Sequence, residues 1–99
     1  MGAKRSWTIE DNVVALYIAL YGYDGLGLDK NNIESLVSHS SFQMRVQNYR
    51  AIETRGSKGL TAGLKSPTFN KLYRLFKPCN REWFTDYVNL ILETRRKLK

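Results

Sequence analysis

Apolar residues recur along this chain at helical spacing, and that periodicity is the strongest constraint on its fold. From Ile9 to Leu20 they follow the i, i+4, i+7, i+8, i+11 pattern of one helix face, which predicts a helix with Ile9 on its inward side. No segment shows the period-two alternation typical of a β-strand. With 99 residues, the chain can bury one core but not two. The sequence therefore predicts a single all-α domain over residues 1–99, with four or five helices.

Capping residues and helix breakers indicate where these helices begin and end. Thr8 and Asp11 form a capping box for the first helix, Asp29 can cap the second, and Ser40 with Gln43 can cap the third. The expected helices cover approximately residues 9–21, 30–37, 41–53, 67–76 and 81–96. Because only the short run "SHSS" separates the second helix from the third, we predict a helix-turn-helix-like core.

The charge of the chain is uneven along its length. Sixteen Lys and Arg oppose nine Asp and Glu, for a formal net charge of +7. Residues 1–55 hold six bases and six acids, whereas residues 56–99 hold ten bases and three acids, so the whole excess lies in the later part. This pattern favours a polyanionic partner, and double-stranded DNA is the first candidate.

The third predicted helix has a polar face suited to reading bases. At 100° per residue, Gln43, Gln47 and Arg50 share one side, with Asn48 beside them. In the major groove Gln and Asn can pair bidentately with adenine, and Arg with guanine. These four residues are the candidate base contacts. The alternative is an ordinary solvated helix face, because Gln and Arg also favour helices.

Hydroxyl and basic side chains around that helix are candidate phosphate contacts. The set comprises Ser40, Ser41, Arg45, Arg55, Lys58, Lys65, Lys71 and Arg74. Contacts of this kind hold a protein on a duplex without reading its sequence. Whether the basic C-terminal run "RRKLK" joins them stays open, as does the alternative that the charge serves only solubility.

The residue inventory argues against catalysis. One cysteine (Cys79) and one histidine (His39) rule out an internal disulfide and a zinc site rich in Cys or His, and the acids are scattered. No run approaches the ~20 apolar residues that span a bilayer, and the start lacks a signal-peptide pattern. We therefore expect a cytoplasmic protein that does not associate with membranes and has no catalytic residues, metal or cofactor.

Two segments of the sequence carry a family resemblance. They are "SWTIEDNVVALYIALY" and "SSFQMRVQNYRAIETRGSKGLTAGLK", and the resemblance covers roughly residues 6–76. In the second segment, "RVQNY" at residues 45–49 fits a basic–apolar–Asn–aromatic core, and "KGLT" at residues 58–61 fits a "kGLs" loop. These segments resemble the N-terminal region of prokaryotic HNH-type, modification-dependent restriction endonucleases.

The resemblance implies target recognition without cleavage. In that family the region looks like a DNA-binding or modified-base-sensing part placed before the nuclease, whereas the HNH metal-binding and catalytic residues are absent here. The chain is then expected to be either a stand-alone relative or part of a longer chain that carries a nuclease domain. A looser similarity to Myb/SANT-type helical domains, through Trp7 and Glu10, implies the same binding function.

Two other functions compete with DNA binding. In the first, the chain is a protein–protein interaction module of a prokaryotic or viral regulatory protein, and an apolar patch around Trp83 and Phe84 binds the partner. In the second, it is an enzyme fragment that becomes active only when joined to a catalytic domain.

Overall fold

The computed structural model describes residues 8–37, 42–56 and 67–98, and within them the chain forms helices and no strand. The five helices are α1 (Ile9–Tyr21), α2 (Lys30–Val37), α3 (Phe42–Glu53), α4 (Pro67–Phe76) and α5 (Arg81–Leu98). The predicted all-α class is confirmed. The helix bounds match the predicted ones with two exceptions: α5 runs to Leu98 rather than to residue 96, and residue 41 lies outside the described residues.

Side-chain caps begin three of these helices, and the sequence predicts those of α1 and α2. Thr8 and Asp11 form a reciprocal box in which each side chain accepts the other's backbone N–H at 3.0 Å. Asp29 and Asn80 each accept the backbone N–H three residues later, at 2.9 and 3.2 Å. These bonds satisfy backbone donors that no helical carbonyl can reach. The predicted Ser40 cap lies outside the described residues.

Helix α1 is the centre of the fold. All its residues from 11 to 18 are buried, including Asp11 and Asn12. It packs most extensively against α3 and also contacts α4 and α5, whereas α2 packs against α5. The sequence predicted one buried face for α1, but three helices pack around it, so its middle is covered on every side.

Aromatic side chains hold α5 to the centre of the core. The Phe84 ring is fully buried and meets the Tyr17 ring edge-on, with 5.2 Å between centroids. The Phe76 ring lies 5.3 Å from Phe84 on another side. The Tyr17 hydroxyl donates to the carbonyl of Asp24 at 3.0 Å and lies 2.7 Å from Thr85 Oγ1. These contacts tie α5 to both α1 and the turn after it.

Two large apolar residues are exposed, and one of them is Ile9, for which the periodicity predicts an inward position. Ile9 is 65% exposed, and Trp83 is 53% exposed with its ring stacked on Tyr87. Each lies in the first turn of its helix, where the periodicity continues although no neighbouring helix fully covers the side chain. Phe84, which the sequence placed with Trp83 in a surface patch, is fully buried instead.

Candidate nucleic-acid interface

Gln43, the first candidate base contact, is engaged in a hydrogen-bond network within the protein. Its Nε2 donates to the Tyr23 hydroxyl at 2.9 Å and to the Glu34 carboxylate. The Tyr23 hydroxyl also lies 3.4 Å from Glu34 Oε2, and burial raises the pKa of Tyr23, so this hydroxyl keeps its proton. The network joins α3 to α2 and to the turn after α1. Gln43 can reach a base only by leaving these bonds.

Gln47 and Arg50 are the predicted base contacts that remain available. Both are half-buried, they lie about one turn apart on α3, and neither side chain hydrogen-bonds to another described residue. Both kinds of side chain can form two hydrogen bonds in one plane, Gln through its amide and Arg through its guanidinium. They can therefore meet base edges without breaking a hydrogen bond to a described residue.

The side of α3 that carries Asn48 is partly covered. Asn48 is half-buried, and its Oδ1 atom is buried without a hydrogen-bond partner. Ala51, nearly opposite the packed Phe42 and Val46 around the helix, is also fully buried. The exposed face of α3 is therefore narrower than the sequence predicted. Its exposed members are Gln43 and Met44, and half-buried Gln47 lies between them around the helix. Asn48 lies at its edge.

Arg45, a predicted phosphate contact, links three helices. Its Nη1 donates to Asn12 Oδ1 on α1 at 3.2 Å, and its guanidinium lies 4.9 Å from the centroid of the Phe69 ring on α4. Tyr49 donates to the same Asn12 oxygen at 2.9 Å. Burial lowers the pKa of Arg45 and raises that of Tyr49. Arg45 thus has a packing role that the sequence did not indicate.

Arg55, Lys71 and Arg74 are exposed, and no ion pair joins them to any acid in the described ranges. Lys77 differs, because both Glu53 oxygens lie within 2.9 Å of its ammonium and raise its pKa. This pair ties the end of α4 to the end of α3. The other predicted phosphate contacts, Ser40, Ser41, Lys58 and Lys65, lie outside the described residues.

Arg55 occupies an unusual backbone conformation at the end of α3. Its φ is 54°, in the left-handed region, and Gly56 follows with a φ of 89°. The N–H of Gly56 bonds to the carbonyl of Ala51 at 2.8 Å, and that of Arg55 to Ile52 at 3.3 Å, which is the Schellman arrangement. Glycine usually occupies the Arg55 position, because a Cβ is disfavoured there by roughly 1 kcal/mol. The arginine is therefore not explained by helix termination.

Neither a cluster of metal ligands nor a helix that could cross a bilayer occurs among the described residues. They contain no group of three or more His, Cys, Asp or Glu side chains that could hold an ion. Among the five helices described, none combines the length and the apolar character needed to cross a bilayer. Comparisons of the chain with protein-family models, curated proteins and solved structures return no match.

Proposed function

We propose that this chain is a non-catalytic module that binds double-stranded DNA. The observation that carries this proposal is the charge distribution: all of the net +7 comes from residues 56–99. On the described surface, Arg55 in the turn after α3 and Lys71 and Arg74 on α4 are exposed without acidic partners. The Glu53–Lys77 ion pair holds the ends of the two helices together. Cations presented in this way release counterions when they meet phosphates, and that release drives binding to DNA.

The proposed mechanism separates reading from holding. Helix α3, as the second helix of a helix-turn-helix-like core, enters the major groove, where Gln47 and Arg50 meet base edges. Gln43 joins them only if it leaves its hydrogen bonds to Tyr23 and Glu34, and Asn48 only if its half-buried side chain becomes more exposed. The phosphate contacts are Arg55, Lys71 and Arg74, together with the predicted Ser40, Ser41, Lys58 and Lys65. The left-handed backbone of Arg55 supports a functional role for this residue, since such conformations cluster at functional sites.

The proposal extends to a biological setting through the family resemblance. The module would be the target- or modified-base-recognition domain of a restriction endonuclease in the cytoplasm, with a nuclease domain in the same longer chain. The two segments within residues 6–76 support this extension. An open reading frame that continues past Lys99 into an HNH-containing region would test it.

Salt dependence tests DNA binding itself. The dissociation constant for a labelled duplex, measured by fluorescence anisotropy, should rise roughly 10³-fold between about 50 and 200 mM salt if about six phosphates are engaged. A flat salt response, or no binding at low salt, would refute the proposal.

Incubation with plasmid and magnesium, manganese or nickel should leave the DNA intact, and reproducible nicking by the purified chain would refute the non-catalytic part of the proposal.

Alanine variants separate the two kinds of contact. Gln47→Ala or Arg50→Ala should cost ~1 to 3 kcal/mol on a preferred sequence and much less on random DNA. Lys71→Ala or Arg74→Ala should weaken binding to all sequences alike and reduce the salt slope by about one each. Lys30→Ala, an exposed lysine on α2, is the control and should change little. If the α4 variants altered sequence preference while the α3 variants weakened binding uniformly, the assignment would be wrong.

A further inference from the structure

Helix α5 carries a second, largely apolar stripe that borders its core-facing side. Its members, spaced by four, three, four and four residues, are Trp83, Tyr87, Leu90, Thr94 and Leu98. Trp83 is 53%, Leu90 62% and Leu98 82% exposed. Single exposed apolar residues are ordinary on protein surfaces, but a continuous stripe of large ones is typical of an interaction site. We call this surface the α5 stripe.

The α5 stripe borders a groove of about 360 Å³ whose lining also includes Glu10 at the start of α1. Ile9, 65% exposed, adds apolar surface beside Glu10. The start of α1 is held to α5 by the Arg95–Asp11 ion pair and by a 3.1 Å hydrogen bond from Arg95 to Thr8. These contacts fix the start of α1, which forms one wall of the groove, against α5.

Charges along α5 identify what can cover the stripe. Glu82 and Asp86 are exposed in the first half of the helix, and Lys97 is exposed near its end. None of the three has an ionic partner within the described ranges. The intervening Glu93 is paired with Arg96 at 2.8 Å. One end of the stripe is therefore flanked by acidic side chains and the other end by a basic one.

The α5 stripe is complementary to itself when one copy is reversed. A two-fold rotation about a point near Leu90 places Trp83 against Leu98 and Tyr87 against Thr94 of a second helix. The same rotation brings Asp86 of one copy near Lys97 of the other, whereas parallel packing would place like charges together. Self-complementarity of both shape and charge singles out a second copy of this chain as the occupant.

We propose that two copies of the chain associate through the α5 stripe as an antiparallel helix pair with its two-fold axis near Leu90. The test is sedimentation equilibrium of the full chain without DNA, from roughly 1 to 500 µM, the range in which small interfaces associate. A reversible monomer–dimer equilibrium is expected. Because DNA is absent, the result does not depend on the proposed DNA binding. A chain that stays monomeric at every concentration would overturn the proposal and leave the stripe to a different protein.

Matched leucine variants locate the interface. Leu90→Glu should weaken dimerisation at least about tenfold, since it places two carboxylates at the two-fold axis. Leu75→Glu on α4 is the control, because Leu75 is 59% exposed and lies outside the stripe, and it should leave the dimer intact. Far-UV circular dichroism should show folded protein in both cases. A dimer that tolerates Leu90→Glu, or that loses its stability equally with Leu75→Glu, would place the interface elsewhere.

Charge reversal tests the antiparallel arrangement. Asp86→Lys and Lys97→Glu should each weaken the dimer severalfold, because each places like charges together. The double variant should restore wild-type affinity, since it exchanges the two signs across the same contacts. Single variants without effect, or a double variant no tighter than the singles, would overturn the antiparallel pairing.

Discussion

Replacing Arg95 with methionine should expose how strongly the fold depends on one ion pair. The Asp11 side chain is fully buried, and the Arg95 guanidinium is paired with it. Burial alone raises the pKa of Asp11, but the backbone N–H of Thr8 and the Arg95 guanidinium reverse that effect and hold the pKa below its usual 3.8. Methionine keeps most of the aliphatic stem and removes the charge. Asp11 then stays buried and loses the countercharge that Arg95 supplies.

The size of the effect follows from this burial. Removing one partner of a buried pair costs ~3 to 5 kcal/mol, because the remaining charge stays desolvated. Arg95 keeps 17% of its side chain exposed, so water can reach the site, and we expect a loss of about 2 to 3 kcal/mol. For a domain of this length, that loss lowers the melting temperature by roughly 10 to 20 °C.

Urea unfolding followed by circular dichroism at pH 7 measures this loss. Arg96→Met is the matched control: Arg96 pairs with Glu93 but is 58% exposed, so its loss should change the free energy of unfolding by less than about 0.5 kcal/mol. An Arg95→Met protein as stable as this control would refute the reasoning.

Acidification gives an independent check on the same pair. In the wild type, the pKa of Asp11 is lower in the folded protein than in the unfolded chain. The stability that its ionised carboxylate contributes is therefore present above the unfolded pKa of 3.8 and is lost as the pH falls through the folded pKa. In Arg95→Met the lowering effect of Arg95 is lost, so the folded pKa of Asp11 lies above that of the wild type and acid destabilises the variant less. The stability difference between the two proteins should therefore narrow as the pH falls from 7 toward about 3. A constant difference would contradict the assignment.

Three further predictions concern stability. Arg55→Gly should raise the free energy of unfolding by about 0.5 to 1 kcal/mol, because glycine adopts the left-handed backbone conformation without strain, and it should weaken DNA binding. An unchanged free energy of unfolding in urea would contradict the strain at Arg55. Burial raises the pKa of Tyr49 well above 10, so the stability that its protonated hydroxyl contributes is present below pH 10 and is lost as the pH rises. Above pH 10 the free energy of unfolding should therefore fall less for Tyr49→Phe than for the wild type, and an equal fall in the two proteins would refute this. Phe84→Ala should cost ~3 to 5 kcal/mol in the same unfolding assay, and a loss below about 1 kcal/mol would remove Phe84 from the core.

The local features of this fold were predictable from the sequence because they depend on residues close together in the chain. The capping box of Thr8 and Asp11 forms over three residues, and a helix face repeats every three or four. The helix bounds follow from such signals, as the agreement for α1, α2 and α4 shows. The net charge and its concentration after residue 55 also need no structure, since they are properties of composition.

The tertiary structure decided which polar side chains are available to a partner. Arg95 pairs with Asp11 across 84 residues, and Gln43 with Tyr23 across 20. Helical periodicity marks the face on which a side chain lies but contains no information about the helix packed against that face. It therefore could not distinguish Arg45, held between three helices, from an exposed cation of the same predicted set. Such partners are determined by the way distant helices pack, because burial makes an unpaired polar group costly and so selects the contacts that form.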